Sequence, residues 1–197
     1  MTAVREVTSG EFGSVGHALS LAFEDDPVMA FLFPDARTRR QRLTSFYALV
    51  IPLIAGHGLV QADAGVHGAA VWMAPSPPRA GRLEGAWLAL RMLFTLRGSA
   101  GRANALNATI LPARVQEPHW YLALLGTEPS HQGRGVGSAL LAPTLERCDR
   151  EGRLAYLESS KESNLPFYER HGFEVVCELT VPGGPSVWPM ARTPRES

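Results

Sequence analysis

Apolar positions along this chain change their period several times, and each change marks an element. Val4 to Val7 reads as a short first strand. Thr8 or Ser9 then offers a helix N-cap, and Glu11 places a carboxylate in the first turn, where the helix dipole favours it. Val15, Leu19 and the pair Ala22-Phe23 recur at helical spacing, so residues 10–24 are expected to be an amphipathic helix. Asp26-Pro27 interrupts it, a short helix is expected over 28–33, and a longer one over 36–55, bent or ended by Pro52. Leu59 to Ala62 and Gly68 to Met73 are apolar runs joined through Asp63-Ala64-Gly65, the pattern of a hairpin. Pro75, Pro77 and Pro78 form a rigid linker. Residues 79–114 are helical in pattern, with a break at Gly98 to Gly101 and a packing stripe of Leu88, Met92 and Leu96. Then come a strand at 120–127, a helix at 136–150, a strand at 154–159, a short helix at 165–171, a strand at 173–181 and a final strand at 186–191.

Composition narrows the class. The 197 residues are 45% apolar, enough for one domain with a proper core. The formal net charge is zero, so no basic excess points to nucleic acid and no acidic run to a solvating tail. The two cysteines, Cys148 and Cys177, have neither metal-ligand nor CxxC spacing and read as reduced thiols of a cytoplasmic protein. The first residues carry no apolar signal core, and the most apolar stretch, 46–54, is too short to span a bilayer. No membrane partner is expected.

The most informative segment is Leu124-Leu125-Gly126-Thr127-Glu128-Pro129-Ser130-His131-Gln132-Gly133-Arg134-Gly135-Val136-Gly137-Ser138. A strand runs into a turn, and glycines open a helix. Free N–H groups and the positive dipole end at a helix start favour an anion. Glycines let the backbone approach a phosphate and take positive φ, and a Cβ at Gly135 or Gly137 is expected to intrude on such a turn. Each N–H aimed at a pyrophosphate contributes about 1.5–3 kcal/mol as a charge-assisted bond, and Arg134 offers a cation beside it. A nucleotide P-loop is excluded, because no Gly-Lys-Ser/Thr follows. A dinucleotide fold competes, since strand, glycines, helix and a second strand ending in Glu158 mimic its first unit. Against it stand the five residues 128–132 before the first glycine, GxGxG spacing in place of GxGxxG, and too little chain after the unit.

Gln132-Gly133-Arg134-Gly135-Val136-Gly137 resembles the Q-x-x-G-x-G/A signature of the GNAT acetyltransferases, with Pro129 three residues ahead. Asn164-Leu165-Pro166-Phe167-Tyr168-Glu169-Arg170-His171-Gly172-Phe173 is similar to their second motif, although Asn164 stands only four residues before Tyr168. Within the superfamily, EPHWYLALLG, HQGRGVGSALLAP, LPFYERHGF and VPGGPSVWPMAR resemble the puromycin N-acetyltransferases in order and spacing. The resemblance implies an α/β (α+β) fold: a central, mixed, mostly antiparallel sheet that splays between two parallel strands, flanked by helices. It implies one domain, with acceptor-side elements over about 1–116 and an acetyl-CoA-binding core over about 117–191. In that core, Leu125, Gly126 and Thr127 match the strand that pairs with pantetheine. Gln132, Gly133, Arg134, Gly135, Val136, Gly137 and Ser138 match the pyrophosphate turn, and Asn164 the site of the pantetheine arm.

Acetyl transfer to an amine needs a neutral amine, a donor for the tetrahedral oxyanion and a proton for the departing thiolate. A backbone N–H near Leu125 or Gly126 suits the oxyanion, and Tyr168 matches the tyrosine that protonates the thiolate in many GNAT enzymes. Glu117, His119 and Tyr121 share one face of a strand by strict alternation. Glu117 and His119 are therefore candidates for the base and Tyr121 for the acceptor wall, against a plain reading as solvated strand-end residues. Asp25 and Asp26 either hold a cationic amine or break the helix before Pro27. The remaining histidines show no ligand spacing, and no metal is assigned. The expected reaction is acetylation of a primary amine of a small molecule such as an aminonucleoside, a type of antibiotic resistance. A protein N-terminal or lysine acetyltransferase and a non-catalytic acetyl-CoA sensor are the alternatives. Segment 79–114 either covers the acceptor site or forms a homodimer face.

Overall fold

The computed structural model describes residues 2–75 and 98–195. Strand β1 (Val4–Glu6) leads through a 3₁₀ turn into helix α1 (Phe12–Ala22), followed by α2 (Pro27–Leu32) and α3 (Ala36–Ala55). The hairpin β2 (Gly58–Asp63) and β3 (Gly68–Met73) comes next, then α4 (Ala100–Ile110). Strand β4 (His119–Thr127), helix α5 (Val136–Glu151), strand β5 (Leu154–Ser159), helix α6 (Leu165–Glu169), and strands β6 (Glu174–Val175), β7 (Leu179–Thr180) and β8 (Ser186–Arg192) complete the order. The expected stripe at Leu88, Met92 and Leu96 and most of the 79–114 segment lie outside the described residues; the part over 100–110 is helical as expected, after a turn at Gly98-Ser99. Among the described residues, no helix is long and apolar enough to cross a membrane.

The eight strands form a sheet in the order β1-β2-β3-β4-β5-β8-β6, with β7 also on β8. All neighbours are antiparallel except β4 and β5, which are parallel. One core lies under α1–α3, with Val15, Leu19, Phe33, Leu43, Tyr47 and Ile51 buried against Ala69, Val71 and Leu124. The other lies under α5, with Leu140, Leu141 and Leu145 against Ala70, Trp72, Trp120, Leu122 and Leu157. Adjacent residues of β3 thus alternate between the two cores, as a strand buried on both faces must.

Two departures from the sequence pattern shape the sheet. In β4 the pairing with β3 passes from Trp72–Leu122 to Val71–Leu124, so Ala123 is an extra residue, a β-bulge. The bulge reverses the facing: Leu122 packs under α5, Leu124 under α1–α3, and Leu125 again toward the α5 side. Second, the strand expected over 173–181 is two short strands. Their partner β8 carries Pro189, which has no N–H to donate; its carbonyl accepts from the Val176 amide, and the register shifts by one between Val175–Met190 and Leu179–Val187.

The C-terminal strand is locked to α5 by a near-buried ion pair. Arg192, 3% exposed, makes two parallel bonds of 2.8 Å to the Asp149 carboxylate and a third, from Nε, to the His171 carbonyl. The Arg192 hydrogen bonds hold the Asp149 carboxyl below its ordinary pKa. The pair's stability is therefore present above the unfolded carboxyl's pKa of about 4 and is lost as pH falls through the lower folded value. Asp149→Ala strands a buried guanidinium and is expected to cost about 3 kcal/mol in urea unfolding at neutral pH, with the gap from wild type narrowing below about pH 4.

Candidate active site

Strands β4 and β5 pair only at His119–Leu154, Trp120–Ala155 and Tyr121–Tyr156. Beyond that they part. β4 continues to Thr127 on β3, and β5 continues to Ser159 on β8. In the split, every second residue of β4 from 122 onward turns its N–H and C=O toward β5 without a strand to receive them. A cavity of about 350 Å³ fills the split, lined by both strands together with Phe23, Asp26, Ser160, Lys161, Asn164 and Tyr168. A second, of about 390 Å³, continues over the glycine turn to Phe167, Tyr168 and Arg170. The two share Leu125, Gly126, Thr127, Gln132, Asn164 and Tyr168.

Helix α1 sits directly on the end of β4. A Cβ on Gly126 would meet Ala22, Leu19 and Phe23 at 2.8–3.0 Å, so only glycine lets the helix close this wall. Past the strand, the side-chain amide of Gln132 donates to the Thr127 carbonyl at 3.0 Å and fixes the turn to the strand end. Gly133 and Gly135 take φ of +73° and +79°, which L side chains rarely adopt, and space beside both is clear of protein to 4 Å. Gly135 therefore serves the turn by its backbone conformation, not by avoiding a protein clash. Gly137 differs: its missing side chain leaves room for Phe167, whose ring edge would lie 3.2 Å from a Cβ.

The sixteen-residue helix α5 starts at Val136 with no side-chain cap, and its first internal bond is from the Ala139 amide to the Gly135 carbonyl. The N–H groups of Val136, Gly137 and Ser138 thus open toward the larger cavity, which those residues line. An uncapped helix start, two left-handed glycines and a clear concave face fit the pyrophosphate of a coenzyme A. Arg134 is exposed and lies outside the lining, whereas Arg170, which the sequence reading passed over, is part of it.

Tyr168 stands where the two cavities meet. It is 8% exposed and held edge-on by Phe167 and Phe173, at 5.1 and 5.9 Å between ring centroids. Among the described residues its hydroxyl has no hydrogen-bond partner. Burial, and then the charge of Asp26, raise its pKa above the ordinary phenol value.

The other candidates separate. Asp26 is 3% exposed and lines the split, but its carboxylate is occupied: Oδ1 accepts the Val28 and Met29 amides at 3.0 Å, and Oδ2 accepts the Ser160 hydroxyl. It caps α2 and joins the N-terminal half to the end of β5. Burial raises its pKa despite these donors. Asp25 is exposed and lines neither cavity, so the structure does not bring it to the site. Glu117 and His119 line a separate hollow of about 260 Å³ at the far end of β4, where His119 Nδ1 lies 2.6 Å from the Glu117 carbonyl. At about 3.3 Å per residue, His119 is about 20 Å along the strand from Leu125, too far to reach a proton there. Tyr121 lines that hollow too, with the Arg114 guanidinium 4.2 Å over its ring. Because of the bulge it faces opposite to Leu125, which uninterrupted alternation would place on the same face. Between the hollow and the split, Arg114 Nε and Nη2 donate at 3.2 and 3.0 Å to Glu158 Oε1. This pair, 44 positions apart in sequence, carries no local signal. Among the described residues, no cluster of His, Cys, Asp or Glu can hold a metal ion.

Comparison with known proteins agrees with this geometry. Residues 101–175 match the model of the acetyltransferase (GNAT) domain. The chain is 27% identical over 188 residues to an uncharacterized N-acetyltransferase of Schizosaccharomyces pombe, covering 87% of this chain and 74% of that protein. It superposes with a TM-score of 0.75 and 24% identity on a structure from Corynebacterium glutamicum described as histone acetyltransferase HPA2 and related acetyltransferase, covering 100% of this chain and 99% of that one. Arylalkylamine N-acetyltransferase 2 from Aedes aegypti shares the fold at a TM-score of 0.55 and 11% identity, over 98% and 99% of the two chains. The splayed sheet, the glycine turn at the start of α5 and the segment matched over 101–175 agree: the fold is that of the GNAT acetyltransferases, and the chain is an acyltransferase of the kind whose usual cosubstrate is acetyl-CoA.

Proposed function

We propose that the protein transfers the acetyl group of acetyl-CoA to a primary amine of a small molecule, with aminonucleosides the class favoured by the order of motifs from Glu117 to Arg192. The observation that carries this reading is the split between β4 and β5. Its cavity of about 350 Å³ is in the range of small-ligand sites, and it joins the glycine turn at Tyr168. In this reading the backbone of Leu125, Gly126 and Thr127 pairs with the pantetheine amides. The turn of Gln132, Gly133, Gly135, Val136, Gly137 and Ser138 holds the pyrophosphate, and Asn164 lies beside the arm between them. Arg170 supplies the cation that Arg134 was expected to supply.

The chemistry follows from placement. A carbonyl laid along residues 124–126 meets backbone N–H groups already aimed into the split, and these stabilise the oxyanion without reorganisation. Tyr168 keeps its proton at neutral pH and presents it where the thiolate departs. That hydroxyl favours an enzyme over a sensor, which needs no proton donor. Glu117 and His119 have no direct access to the amine, so its proton leaves through water in the split.

Three measurements test the reading. Thiol release should be seen when puromycin, tyramine or spermidine is supplied with acetyl-CoA; silence with all three, beside turnover of peptides, would move the acceptor to proteins. Gly135→Ala forces a side chain into left-handed φ at about 1–2 kcal/mol, so acetyl-CoA should bind roughly tenfold more weakly and protect less against thermal unfolding. Tyr168→Phe should leave acetyl-CoA affinity unchanged and lower kcat by roughly 10²–10⁴-fold at nearly constant KM, the mark of an interaction made only in the transition state. Near-normal turnover with chemistry rate-limiting would make Tyr168 a packing residue.

A further inference from the structure

We propose that Glu158 is the residue that receives the ammonium group of the acceptor in the split, and that it makes the enzyme select amines that carry a positive charge. The inference rests on the amine-acetylation reading above and names what that reading leaves open. Glu158 lines the split cavity, and its side chain is only 6% exposed. It is the last-but-one residue of β5, beyond the point where β4 has parted from it. Leu157 packs under α5, so the neighbouring Glu158 side chain lies on the α1–α3 face, as do Tyr156 and Tyr121.

The alternative anion in the cavity is Asp26, and its oxygens already accept three donors. Glu158 differs. Both Arg114 contacts fall on Oε1, and Arg114 approaches from the hollow at the other side. A carboxylate has about four lone-pair sites and can bridge two cations. Arg114 holds Glu158 through Oε1, and the carboxylate, with the Tyr121 and Tyr156 phenols beside it, keeps lone-pair capacity for a charged donor from the split. The Tyr156 hydroxyl is buried beside this carboxylate, so a second polar group stands at this end of the site. Lys161, on the same wall, is the cation that a neutral or anionic acceptor would meet instead.

The charge also separates substrate from product. The bound ammonium gives one proton to water in the split. The freed amine forms the new C–N bond as the thioester C–S bond breaks, and the second amine proton balances the one that Tyr168 passes to the thiolate. The product is a neutral amide, and its bond to Glu158 has no charge assistance. The same carboxylate that gathers the acceptor therefore has little hold on the product.

The test uses the full chain with puromycin, tyramine and spermidine as acceptors. For Glu158→Gln, the acceptor KM should rise at least tenfold, kcat should change less than threefold, and the KM and thermal protection of acetyl-CoA should match wild type. An unchanged acceptor KM overturns the assignment while leaving the amine reading intact. If the variant loses acetyl-CoA protection, and so its fold, the wild type decides alone. N-acetylpuromycin should then inhibit with a constant at least tenfold above the KM of puromycin, and equal values overturn the assignment. If peptides are turned over and the three amines are not, the small-amine reading fails, and the same KM comparison on a peptide amine tests Glu158. Turnover of no amine at all overturns both.

Discussion

Strand β4 meets β5 only at residues 119–121, and the rest of the molecule is arranged around the six residues that follow, which are paired on the β3 edge alone. Unpaired backbone groups in a buried strand are costly unless something receives them. Here they open on a cavity, walled by α1 on one face and by α5 and α6 on the other. The split is thus a length of sheet edge placed inside the protein, where a ligand with its own amides can stand in for the missing strand. Gly126 lets α1 lie on this edge, and the Ala123 bulge turns the strand so that Leu124 and Leu125 face different cores. Both features sit within three residues of each other, at the place where the thioester is expected to lie.

Much of this was legible because the signals were local. Helix α3 over 36–55 and strand β5 over 154–159 follow from continuous periodicity bounded by Asp35 and by glycine-containing turns. The glycine turn could be read because positive φ leaves a compositional trace. What was not legible depended on pairing. The bulge at Ala123 has no sequence mark in LALLG, since alanine is at home on either face, and alternation alone does not reveal that Tyr121 and Leu125 face opposite ways. Pro189 was visible as a proline, but its effect, dividing the strand expected over 173–181, needed knowledge that β8 lies between β5 and β6. Arg114 and Glu158 belong to segments whose meeting is a matter of topology alone.

The two ends of β4 show why a strand face is a weak guide to a reacting centre. Glu117, His119 and Tyr121 were grouped by alternation, and the structure does gather them, at one small hollow. Alternation fixes a face but not a position along it, and position matters more when each residue adds about 3.3 Å. The Arg114–Glu158 pair divides the hollow from the split, so His119 and Tyr168 act on different spaces.

Asp26 and Tyr168 then form a single electrostatic unit. Burial raises the pKa of both, and the Asp26 charge raises that of Tyr168 further. A phenol in this state does not ionise in the working range of pH. In the proposed mechanism it is a fixed hydrogen-bond donor, and its help to a departing thiolate would come from an O–H held where the two cavities meet. Raising its pKa weakens it as an acid but keeps the proton on the donor. In that mechanism the alkaline limit of activity would come from groups other than Tyr168, and the acidic limit from the acceptor amine, which has to lose its proton before it attacks. Asp26 contributes to both halves of this arrangement. As the cap of α2 and the partner of Ser160 it ties the acceptor-side helices to the end of β5, and as a buried charge it keeps the proton on Tyr168.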